Sequence, residues 1–70
     1  MDKMPHEQLS DREYDVFIKI ASGKKAVDIA AELSISVHTV NTYRARILEK
    51  LSMSSNVELT QYAMHNNLID

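Results

Sequence analysis

Apolar residues recur three and four positions apart along this chain, which is the spacing of helices that each bury one face. Four helices are predicted in this way: one from Ser10 to the only glycine, Gly23, and three over about 25–33, 37–51 and 56–67. The sequence shows no alternating strand pattern, internal repeat or low-complexity segment. We therefore expect an all-α fold, a compact domain of four short helices.

Serine residues predict where three of these helices begin. Ser10 is followed by Glu13, and Ser55 by Glu58, and each pair has the spacing of a capping box, in which side chain and backbone bond reciprocally. Ser36 is the N-cap candidate of the third helix. The β-branched residues that follow it are poor helix formers, so we expect this helix to depend on its cap and on packing.

Residues 1–8 lack the helical period. They are polar and contain the only proline of the chain. We therefore predict a flexible tail or linker remnant over 1–8 and one helical domain over 9–70. His6, which lies in the predicted tail, is expected to be solvated.

Composition argues against several classes of protein. The chain has no cysteine, so neither a disulfide framework nor a thiolate zinc site can form. The three histidines show no ligand spacing, and there is no phosphate-binding glycine loop. No apolar run approaches the ~18 residues needed to cross a bilayer, and the start shows no signal-peptide pattern. We expect a cytoplasmic protein that is not an enzyme, with no metal, cofactor or membrane partner.

The charges are distributed unevenly along the chain. The net charge of −2 at first argues against a nucleic-acid partner, because phosphate affinity needs clustered Lys and Arg. Residues 1–15 carry −3 and residues 51–70 carry −2, whereas residues 16–50 carry +3. The basic part therefore lies around the stretch 34–51, which contains the third predicted helix.

The third predicted helix has two different faces. At about 100° per residue its apolar residues point inward, and they are Val37, Val40, Ile47, Leu48 and Leu51. The opposite face carries His38, Asn41, Thr42, Ala45, Arg46 and Glu49. Its amide, hydroxyl, methyl and guanidinium groups suit base edges in the DNA major groove. A merely solvated face is the alternative, but a short helix, a tight turn and a longer polar-faced helix are together typical of a helix-turn-helix.

Residues 9–69 resemble the DNA-binding domain of the LuxR/FixJ (GerE-type) transcription regulators. The resemblance rests on "LSDRE", "IASGK", "DIAAELSISVHTVNTYRARILEKL" and "ELTQYA". It implies a four-helix fold with a central helix-turn-helix, of the winged-helix-like class without a wing. It also implies binding of a homodimer to two half-sites of double-stranded DNA. The usual control is a receiver domain in a two-component response regulator, and RNA polymerase is a further candidate partner.

The resemblance also assigns functional positions. The family's base-reading positions fall on Asn41, Thr42 and Ala45, and a phosphate-contacting position falls on Thr39. Lysine is common in the family at position 38, and lysine or arginine at 41, whereas His38 and Asn41 stand here, so the isolated domain is expected to show a weak salt slope. Lys25 replaces a common Ser or Thr N-cap and adds a candidate phosphate contact. The predicted DNA-binding set is Lys25, His38, Thr39, Asn41, Thr42, Ala45 and Arg46.

Arg44 differs from Arg46, because its projected direction lies in the inward sector of the third helix. Glu13 projects likewise into the apolar stripe of the first helix, and a buried charge needs a partner. One hypothesis is an ion pair between Glu13 and Arg44. The other is that Arg44 extends outward to a phosphate of the DNA.

The fourth predicted helix has two apolar stripes. The core stripe contains Leu59, Tyr62 and Ala63, and the second contains Val57, Gln61, Met64 and Leu68. Scattered exposed apolar residues are normal on any protein, so the second stripe alone proves nothing. With the family resemblance, it predicts a two-fold dimer contact that sets the spacing of half-sites. A helical protein-interaction module without DNA binding remains the alternative function, and a sigma-factor-like promoter-reading domain is a third.

Overall fold

Helices account for most of the chain in the computed structural model, which describes residues 4–70. They are α1 (Asp11–Ala21), α2 (Ala26–Leu33), α3 (Val37–Leu51) and α4 (Asn56–His65), with a short 3-10 helix at Pro5–Gln8. The all-α fold is confirmed, and there is no strand between residues 4 and 70. No helix in that range is both long and apolar enough to span a bilayer.

Hydrogen bonds at the starts of α1 and α3 agree with the predicted caps. The Glu13 N–H donates to Ser10 Oγ at 3.1 Å, and the Ser10 N–H donates to Glu13 Oε1 at 2.8 Å. This is a complete capping box. At α3 the Thr39 N–H donates to Ser36 Oγ at 3.0 Å, so the poor helix formers of its first turn begin from a satisfied cap.

The second predicted capping box is only half formed. The Glu58 N–H donates to Ser55 Oγ at 3.3 Å, which caps α4. The Glu58 carboxylate accepts instead from Ser54 Oγ at 2.8 Å. The Ser54 hydroxyl has thus replaced the Ser55 backbone N–H that the spacing predicted as the donor to Glu58.

Each of the four α-helices is followed within two residues by a residue with a left-handed backbone. These residues are Gly23, Ser34, Ser52 and Asn67, with φ of 92°, 56°, 56° and 58°. In each case the N–H of the next residue donates back to a carbonyl five positions earlier, as in Leu68 to Ala63 at 2.8 Å. This is the bonding of a Schellman motif. The glycine end of α1 was predicted, whereas the other three ends use residues without glycine's freedom.

The core lies where α1 packs against α3 and α4, and where α2 packs against α3. Phe17, Ile29, Ile47 and Leu59, one from each helix, are completely buried. Since a single side chain from every helix meets there, the core fixes the position of α3 relative to the rest of the domain. Most of the residues of α3 that were predicted to point inward do so. Val40, Ile47 and Leu51 are buried, and Leu48 is half-buried.

Three predicted positions need correction. Val37 was expected to point inward but is 39% exposed, because it is the first residue of α3 and core burial on that helix begins at Val40. α4 ends at His65 rather than 67. Leu68 therefore lies beyond the helix, where it is half-buried against the core instead of joining an exposed stripe.

The N-terminal segment is more ordered than a tail. Residues 1–3 lie outside the described residues, but Pro5–Gln8, also predicted as tail, forms a 3-10 helix. His6 is half-buried rather than solvated, and its Nδ1 lies 2.8 Å from the hydroxyl of Tyr62 on α4. Its backbone N–H donates to the same hydroxyl at 3.3 Å. The Tyr62 hydroxyl thus connects this segment to α4 through two contacts with His6.

Glu13 is buried as predicted, but its partner is not Arg44. Its Oε1 accepts a hydrogen bond from Lys50 Nζ at 2.7 Å, from the last turn of α3. The Lys50 ammonium and the Ser10 N–H hold the pKa of the Glu13 carboxyl below its ordinary value, although burial acts in the opposite direction. The proposed Glu13 to Arg44 pair is therefore wrong.

Candidate nucleic-acid interface

A three-residue turn joins α2 to α3. Ser34 takes the left-handed conformation, Ile35 is half-buried against the core, and Ser36 is extended and caps α3. Because Ile35 is held by the core and Ser36 by its cap, the turn fixes the direction in which α3 leaves α2. A short helix, a turn of this length and a longer second helix are the parts of a helix-turn-helix.

The outer face of α3 is open to solvent along its whole length. The six residues predicted to share this face are all exposed, and they are His38, Asn41, Thr42, Ala45, Arg46 and Glu49. Ala45 lies in the middle of the face, where its small side chain allows another surface to approach the helix backbone closely. The predicted base-reading positions are thus placed together on one accessible surface.

Hydrogen bonds within α3 decide which groups this face can offer. Thr42 Oγ1 donates to the His38 carbonyl at 3.1 Å, so its hydroxyl hydrogen is already used. Toward a ligand Thr42 presents its methyl group and the lone pairs of its oxygen. Thr39 is half-buried, with Oγ1 2.9 Å from Ser36 Oγ, so it lies at the edge of the face and belongs to the cap.

A groove runs beside this face, between the α1–α2 loop, α3 and the first turn of α4. Its volume is about 320 Å³, and its lining includes Lys25, Asn41, Arg44, Asn56 and Val57. Lys25 is the exposed N-cap residue of α2 and makes no capping hydrogen bond with its side chain. Lys25 and Asn41 thus line the same groove, one from the start of α2 and the other from α3.

Arg44 and Arg46 point to different surroundings, as predicted. Arg46 is exposed on the outer face of α3, whereas Arg44 is half-buried and lines the groove. Arg44 Nε donates to Asn56 Oδ1 at 2.7 Å. A helical projection gives only the direction of Arg44, and nothing in the sequence pattern indicates that the first residue of α4 would meet it.

Ion pairs separate the basic residues of the domain into two groups. Three lysines each have a carboxylate within 4 Å. Lys19 has those of Asp15 and Glu32, Lys24 has that of Glu32, and Lys50 has that of Glu13. Within residues 4–70, no carboxylate lies that close to Lys25, Arg44 or Arg46. Of the basic side chains without a paired carboxylate among the described residues, Lys25 and Arg44 therefore line the groove and Arg46 is on the outer face of α3, whereas Arg12 lies apart on α1.

An apolar patch is exposed on α4. Val57 is 64% exposed and Met64 is 54% exposed, and Gln61 between them is exposed as well. The structure places these three together on the outward side of the helix and separates Leu68 from them. We call Val57, Gln61 and Met64 the α4 patch.

Among residues 4–70 no group of three His, Asp or Glu side chains is arranged to hold a metal ion.

Comparison with known proteins gives the family of the chain. Residues 7–63 match the model of the luxR family of bacterial regulatory proteins. The chain is 46% identical over 66 residues to the response regulator GacA of Pseudomonas protegens, covering 94% of this chain and 31% of that protein. It is 39% identical over 67 residues to the transcriptional regulatory protein LiaR of Bacillus subtilis, covering 96% of this chain and 32% of that protein.

A third relative is the response regulator UvrY of Escherichia coli, 39% identical over 64 residues, with 91% of this chain and 29% of that protein covered. The chain thus spans about a third of the length of the curated relatives it matches. The family match includes α1, the turn, α3 and most of α4, and it confirms the resemblance seen in the sequence. With its central helix-turn-helix, the chain belongs to the luxR family of bacterial regulatory proteins.

Proposed function

We propose that this domain binds specific sequences of double-stranded DNA, with α3 lying in the major groove. In this arrangement Asn41, Thr42 and Ala45 face base edges, as an amide, a methyl-bearing side chain and a small apolar residue can do. His38, Arg46 and Lys25 flank them, and Thr39 contacts a phosphate from the first turn of α3. This assigns transcription regulation to the domain.

The observation that carries the proposal is the continuous exposed face of α3. Six side chains at helical spacing lie open to solvent, and none of them takes part in an ion pair of the described chain. A face selected only for solubility would commonly hold Glu and Lys at i,i+4 spacing. Short polar groups around a central alanine instead match a surface that meets another one closely.

We further propose that two copies pair through the α4 patch and so fix the distance between half-sites. The support is an exposed pair of apolar side chains, Val57 and Met64, on a helix whose opposite side is in the core. As the relatives are response regulators about three times as long, we propose that a receiver domain controls this pairing in a longer protein of the two-component type.

Selection of bound sites from a random double-stranded DNA library tests the proposal, followed by titration of the selected and a scrambled DNA at two salt concentrations. We expect one recurring half-site, and an affinity for the selected DNA that falls with salt. Self-association without any salt-dependent DNA binding would favour a protein-interaction module instead. That outcome would point to the α4 patch as the functional surface.

A further inference from the structure

We propose that Arg44, held in place by Asn56, forms with Lys25 a binding site for a DNA backbone phosphate beside the reading face of α3. This inference rests on the proposed DNA binding and joins Arg44 and Lys25, which line the same groove, into one site that Asn56 positions. It also decides between the two hypotheses for Arg44, since Glu13 is bonded to Lys50.

The Arg44 guanidinium is hydrogen-bonded at only one of its nitrogens within the described chain. Its Nε donates to Asn56 Oδ1 at 2.7 Å, and its terminal Nη groups have no hydrogen-bond partner within the described chain. No buried side-chain nitrogen or oxygen in that part of the protein lacks a partner, so the Nη groups are in contact with solvent. Arg44 is thus fixed at one nitrogen and has up to four N–H donors left for a ligand.

The groove beside α3 carries positive charge. Arg44 and Lys25 both line it, and neither has a carboxylate partner between residues 4 and 70. Lys24 lines it too, but its ammonium group is 2.6 Å from Glu32 and is largely neutralised. The other polar side chains along the groove are amides and a hydroxyl, on Asn41, Asn56 and Thr60. An anion is the ligand that this set favours.

The groove lies along one flank of the α3 face that is proposed to meet DNA. At about 100° per residue, Arg44 lies on the same flank of α3 as Asn41, one turn further along, and about 100° from Ala45 at the centre of the face. A helix in the major groove has a sugar-phosphate backbone along each flank. Asn41 at the edge of the reading face therefore places Arg44 and Lys25 against one of these backbones.

The guanidinium suits this role because its planar fork can donate two parallel hydrogen bonds to one phosphate. Asn56 acts as a positioning residue, since it restricts the rotation of Arg44 before the phosphate arrives. Few other cations face DNA in this domain, with Arg46 accompanied by the acidic Glu49 on the same face. We therefore expect Arg44 to supply a large part of the salt dependence of binding.

The test compares Arg44→Gln with Arg12→Gln by titration of the selected and the scrambled DNA at several salt concentrations. Arg12 is an exposed arginine in the first turn of α1, at the end of that helix away from the groove, so its variant removes the same charge elsewhere. For Arg44→Gln we expect about tenfold weaker binding of both DNAs, and a slope of log affinity against log salt that is smaller by about 1. Arg12→Gln should change neither.

Two further variants separate the phosphate role from a structural one. Arg44→Lys keeps the charge and should keep the salt slope, although it cannot donate a forked pair. Asn56→Ala keeps the arginine but removes the acceptor that positions its Nε, and it should weaken the binding of both DNAs by about threefold. If Arg44→Gln fails to fold, as seen by circular dichroism, Asn56→Ala still tests the site, and unchanged binding by it would then overturn the inference.

The outcomes also distinguish this inference from the function on which it rests. A wild-type domain without salt-dependent DNA binding would reject both. Normal wild-type binding with an unchanged slope in Arg44→Gln would reject the phosphate site alone. Loss of preference at one base pair in that variant would assign Arg44 to base reading and overturn the inference as well.

A free anion has the same chemistry as a DNA phosphate, so its binding is measured separately. Inorganic phosphate is titrated into the domain without DNA, at constant ionic strength, while the Arg44 side-chain NMR signals are followed. We expect weak changes without saturation up to tens of millimolar. Saturation at low millimolar phosphate, abolished by Arg44→Gln, would identify a site for a small anion and contradict the DNA assignment.

Discussion

Glu13 and Lys50 are 37 positions apart in the sequence, yet their side chains meet at 2.7 Å and join the first turn of α1 to the last turn of α3. The side chain of Glu13 is 5% exposed, and that of Lys50 is 42% exposed. Glu13 also completes the cap of α1, so one carboxylate bonds to the start of α1 and to the end of α3.

Lys50→Met should lower the free energy of unfolding by about 1–3 kcal/mol, because it leaves a buried carboxylate without its cation. Lys24→Met is the matched control. Its partner Glu32 is at 2.6 Å, a shorter distance, but both side chains are at least 40% exposed, so we expect a loss below about 1 kcal/mol. Urea unfolding at neutral pH measures both. Equal losses would mean that burial of Glu13 does not determine the strength of the pair.

The stability of the domain should depend on the protonation of Glu13. The folded-state pKa of this carboxyl is below its ordinary value of 4.5, so the unfolded chain binds the proton more readily. The contribution is thus fully present above about pH 4.5 and is lost as the pH falls from there through the folded-state pKa. Glu13→Gln can still cap α1 but cannot ionise. Its difference in stability from the wild type should therefore shrink between pH 6 and pH 3. A difference that is constant over this range would contradict the assignment.

Ala45→Glu should abolish DNA binding and leave the fold intact. Ala45 is exposed on α3, and glutamate is a good helix former, so the thermal midpoint should change little. The new charge and bulk would lie at the centre of the reading face, against the base edges and phosphates. Ala45→Ser is the control at the same position, since it stays small and neutral, and we expect it to bind within about tenfold of the wild type. Retained binding by Ala45→Glu would move the interface away from this face.

The double variant Val57→Ser with Met64→Gln, which brings no negative charge into the groove that Val57 lines, should remove cooperative binding to DNA with two half-sites while one half-site is still bound. Both side chains are more than half exposed, so their replacement leaves the core untouched. Leu68→Glu gives the contrast, because Leu68 packs against the core and should destabilise folding instead. Binding to one-site and two-site DNA, with unfolding midpoints, separates the two effects. Unchanged cooperativity in the double variant would reject the α4 patch as a dimer contact.

Ser52→Gly should stabilise the domain by up to ~1 kcal/mol. Ser52 is exposed and has φ of 56°, a conformation that glycine adopts without the steric cost of a side chain. Part of this gain is offset by the greater freedom of glycine in the unfolded chain. Ser52→Val, with a β-branched side chain at the same backbone position, should destabilise by more than ~1 kcal/mol. Urea unfolding checks the order Gly, Ser, Val.

Much of the fold follows from local signals that a sequence shows directly. Ser10, Ser36 and Gly23 marked helix ends because capping depends on residues a few positions apart. The inward positions of α3 followed from its period, except at Val37, where burial depends on how far the neighbouring helices extend. Periodicity within one helix cannot show the coverage supplied by another.

The partners of charged residues were harder to predict, for the same reason. The projections of Glu13 and Arg44 were inward as expected, but the pairing between them was wrong. A projection gives an angle about one helix axis, whereas contact also requires the same height along two packed helices. Lys50 lies within hydrogen-bond reach of Glu13, and Asn56 lies within hydrogen-bond reach of Arg44. His6 was missed because a lone 3-10 turn has no apolar period to reveal it.

The left-handed ends of α2, α3 and α4 have a consequence for the unfolded chain. With one glycine in 70 residues, the chain has few positions of high backbone freedom, so less conformational entropy is lost when it folds. The strain at Ser34, Ser52 and Asn67 is the corresponding cost in the native state. The domain therefore gains part of its stability by restricting the denatured ensemble, and no contact in the folded structure records that part.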